Sequence, residues 1–132
     1  MNAVELKERT KQFALRVIKL YKSLPKGKDS DAIGYQLLKA GTSVGANYRS
    51  ACRARSDADF ISKITIVEEE ADEPAYWIEL LMESGIVKKK LLKELLKEAN
   101  ELTAIFTASG NTTKLRVTNS KSKIRNPKLS DL

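Results

Sequence analysis

The chain has 132 residues, 42% of them apolar, with 24 Lys and Arg against 17 Asp and Glu, one cysteine and no histidine. That length suits a single domain around one core, and the missing histidine removes the commonest metal ligand and proton carrier, so no cofactor and no metal are expected. Cys52 has no partner for an internal disulfide, no apolar run approaches the roughly 18 residues of a membrane span, and the N-terminus lacks a signal-peptide layout, which together point to the cytoplasm.

Apolar periodicity predicts a first helix from Val4 to Ser23, with Leu6, Phe13, Val17, Leu20, Tyr21 and Leu24 on one face. Pro25-Lys26-Gly27-Lys28 ends it, and Asp29 or Ser30 offers an N-cap for a second helix over 31–54. This second helix contains Gly41 and Gly45, each costing about 1 kcal/mol relative to alanine, so the glycines need a packing or functional reason. At about 100° per residue, Gly34, Gly41, Gly45 and Cys52 fall on one line of small side chains. That line predicts close approach of another helix, within the chain or from another copy. Ile33, Leu37, Val44, Tyr48 and Ala51 form an apolar stripe beside it, while Lys39, Arg49 and Arg53 lie on the other side.

Ser56-Asp57 signals a third helix whose stripe, Phe60, Ile64, Val67, Ala71, Ile78 and Met82, runs to a stop at Gly85. Ile66, Trp77 and Leu80 form a second apolar patch away from that stripe. A bundle helix needs one buried stripe, so this patch is the candidate subunit interface. Pro74 has no N–H for the carbonyl of Glu70, which predicts a kink or bulge between them. A fourth helix carries Leu91, Leu92, Leu95, Ala99, Leu102, Ile105 and Phe106 on one side and is expected to close at Gly110. Four such segments with short connections and no period-two alternation predict an all-α, antiparallel up-and-down four-helix bundle over 1–110. Residues 111–132 are expected to form a flexible basic polar tail. Six of the basic residues but only Asp131 among the acids lie after Thr113, so the tail carries +5 of the net +7 and residues 1–113 carry +2.

Catalytic chemistry finds little to work with. The run Glu68-Glu69-Glu70-Ala71-Asp72-Glu73 pairs carboxylates one turn apart, but carboxylate-bridged metal sites in bundles also draw on Glu-x-x-His pairs. An acidic solvent face, or salt bridges to Arg49, Arg53 and Arg55, is the simpler expectation. Cys52 has no base to activate it, and Gly41-Thr42-Ser43-Val44-Gly45 lacks the lysine and the strand-to-helix setting of a phosphate loop. No catalytic residue is assigned and no enzyme is expected. Lys39, Arg49, Arg53 and Arg55, with Lys121, Lys123 and Arg125 of the tail, are the candidate nucleic-acid-binding residues, because cations repeated around an oligomer make an extended electropositive surface. Tyr48 could stack on a base, but its place on the apolar flank favours the core.

Ser43-Val44-Gly45-Ala46-Asn47-Tyr48-Arg49, taken in order with residues 54–63, Glu70-Ala71-Asp72-Glu73, Tyr76-Trp77-Ile78-Glu79-Leu80-Leu81 and Ser84-Gly85, resembles the four-helix-bundle proteins of intervening sequences in bacterial 23S rRNA genes, the S23-like family.

 The resemblance covers roughly residues 5–108. It implies a left-handed bundle assembling into a ring-shaped homopentamer around a central channel, and kinship with the accessory proteins of diversity-generating retroelements, whose basic barrels associate with nucleic acid and a reverse transcriptase. It implies no enzymatic activity. Many relatives are expected to carry a glutamate where this chain has Ser50 and a threonine-like residue where it has Pro74, and the basic tail lies outside the match. Two functions follow as expectations: association with RNA or DNA with little sequence preference, or a protein-interaction scaffold that docks a partner enzyme such as a reverse transcriptase.

Overall fold

The structure, a computed structural model, describes residues 1–125, with side chains through Lys121. It contains four helices, α1 (Ala3–Ser23), α2 (Lys28–Cys52), α3 (Asp57–Glu83) and α4 (Lys89–Arg125), and no strand among the described residues. Each helix packs on its neighbours in chain order, and α1 also touches α4, so the four close an up-and-down bundle. None of the described helices is long and apolar enough to cross a membrane.

Local chemistry sets the helix ends. Asn2 caps α1 by accepting the Glu5 N–H at 2.9 Å, and Ser56 caps α3 by accepting the Asp59 N–H at 3.1 Å. Neither Asp29 nor Ser30 caps α2, which starts earlier, after Gly27; Asp29 instead accepts the Ser30 N–H within the first turn. After α3, Gly85 takes a left-handed φ of 78°, the conformation that ends helices and favours glycine.

The core joins Phe13 and Val17 of α1, Leu37 and Val44 of α2, Ile64, Val67, Ile78 and Leu81 of α3, and Leu92, Leu102 and Phe106 of α4. Three positions depart from the expected stripes. Leu81 is fully buried, whereas Leu91 is 67% exposed and Tyr21 is on the surface. Leu91 lies in the first turn of α4, and its neighbour Leu92 takes the inward position.

The glycine line of α2 faces α1. A Cβ on Gly34 would come within 2.5 Å of Leu24, one on Gly41 within 2.8 Å of Val17, and one on Gly45 within 3.2 Å of the Thr10 hydroxyl. Cys52 is half-buried at the end of the line. α3 continues through Pro74, which is itself buried. The Thr103 hydroxyl of α4 lies 2.9 Å from the Ala71 carbonyl and 3.0 Å from its own Ala99 carbonyl, which places a donor beside the turn that the proline weakens.

The expected stop at Gly110 is not made. α4 runs on to Arg125, because Gly110 is an interior contact where α3 presents Ile64 and the Glu68 carboxylate. Beyond it Thr113 is buried and Arg116 pairs with Asp57 at 2.9 Å. The expected flexible tail is therefore helical over 111–125, and 126–132 lie outside the described residues.

A polar clasp joins α1 to α4. The Arg9 guanidinium donates to Glu98 at 2.8 and 2.5 Å and to Glu101 at 2.7 Å. The hydrogen bond from Arg9 holds the Glu98 carboxyl below its ordinary value of 4.5, against the opposing effect of burial. A depressed carboxylate contributes stability above its unfolded value and loses it as the pH falls through the folded one. Urea denaturation between about pH 5 and pH 3 is expected to show a steeper stability loss for the native chain than for Arg9→Gln.

Candidate nucleic-acid interface

The turn between α2 and α3 presents the first cations. The Arg53 and Ala54 N–H groups close the end of α2 on the Ser50 and Ala51 carbonyls, both at 3.1 Å. The Arg55 N–H then donates to Asp59 Oδ2 at 3.1 Å, and that bond, aided by Lys63, lowers the Asp59 carboxyl. With Ser56 capping the next helix, Arg55 stands on a braced turn.

Arg55 and Arg116 line the same cleft, of about 520 Å³, together with Tyr48, Cys52, Phe60 and Thr113. Two features far apart in the chain, the arginines after α2 and the basic C-terminal segment, thus meet at one end of the bundle. Arg116 is level with the first residue of α3, so the helix from there to Arg125 projects about 13 Å further at 1.5 Å per residue. Lys114 and Lys121 are exposed on this segment. The side chains of Lys123 and Arg125 lie outside the described residues.

Lys39, Arg49, Arg53 and Arg55 are all exposed. The expected neutralisation of Arg49, Arg53 and Arg55 by the acidic run is absent: none of the three forms an ion pair among the described residues. The acids are directed elsewhere. Glu68 turns toward Gly110, and Glu73 accepts the Trp77 indole N–H at 3.3 Å. No group of three His, Cys, Asp or Glu among the described residues could hold a metal ion.

Tyr48 is buried with its ring 5.2 Å from that of Phe106, so it is not free to stack on a base. Burial chiefly, with the neighbouring Cys52 thiol, raises its phenol and keeps it protonated. The predicted interface patch is divided. Ile66 is 46% exposed, whereas Trp77 and Leu80 are half-buried and Trp77 packs against the core of its own chain.

Two cations missed in the sequence, Lys7 and Lys11, border a second groove with Arg49, over the seam where α1 meets Gly45. Their spacing of four residues put them on one face, but only the packing of α1 on α2 brings Arg49 beside them.

Residues 2–108 match the family described as 23S rRNA-intervening sequence protein. The chain is also similar to a crystal structure from Bacteroides thetaiotaomicron, described as a protein with unknown function from the S23 ribosomal protein family. The two share 32% identity with a TM-score of 0.77, over 84% of this chain and 99% of that one. No curated protein matches.

Proposed function

The chain belongs to the 23S rRNA-intervening sequence protein family, and on that premise we propose that it is a non-enzymatic, homo-oligomeric helical bundle that associates with RNA or DNA with little sequence preference. The observation that carries this reading is the meeting of Arg55 and Arg116 on one cleft, beside Arg53 and a projecting basic helix. Cations held on a braced turn and along a helix attract phosphates without reading bases. Assembly multiplies them. Lys39, also exposed on α2, adds to the basic surface.

Filter binding with an RNA oligonucleotide and a DNA duplex tests the proposal. Retention at low salt is expected to fall as salt rises, and Arg53→Gln/Arg55→Gln/Lys121→Gln is expected to flatten the log–log slope by about 0.7 per lost contact on single strands and about 0.9 on duplex. Absence of retention at low salt would overturn it. Co-purification of a stoichiometric protein in place of nucleic acid would instead favour a scaffold that docks a partner enzyme.

A further inference from the structure

Two of the exposed surfaces among the described residues differ in shape and are opposite in charge. The first is the groove of about 690 Å³ over the α1–α2 seam. Its floor is Ala14, Gly45 and Ala46, with Val4 75% exposed at one end, and Lys7, Lys11 and Arg49 border it against the single acid Glu8. The second is the outer face of α3, where Ile66 and Tyr76 are 46% and 55% exposed. Glu69 and Glu73 lie one turn from these side chains. Lys63, the one cation of α3, is already paired with Asp59.

We infer that the outer face of α3 of one copy seats in the α1–α2 groove of a second copy. The inference rests on the homo-oligomer part of the proposed function and assigns its contact surfaces. Groove against groove would oppose cations, and α3 against α3 would oppose carboxylates. Only the crossed pairing brings opposite charges around apolar centres. Such a contact is head-to-tail, so it repeats into a ring or a filament and does not stop at a two-fold dimer.

The test uses two full-length variants, Ile66→Glu/Tyr76→Glu on α3 and Ala14→Glu/Ala46→Glu in the groove, with circular dichroism to check the fold and light scattering to read mass. The native chain is expected to be oligomeric and each variant alone monomeric. Mixing them is expected to give a dimer of one of each, twice the 14.7 kDa chain mass, because each variant retains the surface the other lacks. A monomeric native chain, a variant that keeps the native mass, or a mixture that stays monomeric would overturn the pairing. Lys7→Glu/Lys11→Glu, both on exposed positions, guards against misfolding: it is expected to weaken assembly at least tenfold, and unchanged assembly also overturns the inference. RNA retention by the native chain is scored separately, so failure of the pairing and failure of nucleic-acid association are read independently.

Discussion

Replacing Phe106 by alanine is expected to lower the unfolding free energy by about 3–5 kcal/mol, measured as a shift of the urea midpoint at fixed protein concentration. Phe106 is fully buried on α4 and packs against Tyr48 of α2, so its removal leaves a cavity at the centre of the bundle and strips the tyrosine of its aromatic partner. Marginal stability of about 5–15 kcal/mol makes that a large fraction of the total. Leu91→Ala is the control. Because Leu91 is 67% exposed, its loss is expected to stay within about 0.5 kcal/mol, although periodicity places both residues on the same side of the helix. Equal losses at the two positions would contradict the observed rotation of α4.

Gly41→Leu is expected to cost about 3 kcal/mol, at the upper end of the usual overpacking range, because its first side-chain carbon already meets both methyl groups of Val17 at 2.8 and 2.9 Å. Val17 is fully buried and has little room to yield. Gly41→Ala separates packing from helix propensity. In the native background it is expected to destabilise, since the clash outweighs a propensity gain of about 1 kcal/mol. In a Val17→Ala background the clash is relieved and the same substitution is expected to stabilise. A stabilising Gly41→Ala in the native chain would show that α1 does not approach as closely as described.

Helix number, order and most inward faces were legible because burial of one stripe imposes a 3.6-residue period that survives in the sequence, as at Phe13 and Val17 or Leu102 and Phe106. Gly110 was misread for a physical reason. A glycine near the end of an apolar stripe is ordinarily a stop, and only the approach of α3, with Ile64 and Glu68 against it, makes it an interior contact. Of the two readings of the acidic run, the solvent face holds, with Glu69, Asp72 and Glu73 exposed, and the salt bridges to the arginines do not, because ion pairs depend on distances between elements that spacing along one helix does not contain.

The sequence by itself determined the family, through its ordered motifs between Ser43 and Gly85, and the all-α class and the cationic character of the segments around Arg53 and Arg116, which local periodicity and composition carry. The tertiary structure decided which helix fills the small-residue line of α2, that Arg55 and Arg116 share one cleft, and that Lys7 and Lys11 stand beside Arg49. Those are contacts between residues distant in the chain, set by how four helices pack and not by any one helix's pattern.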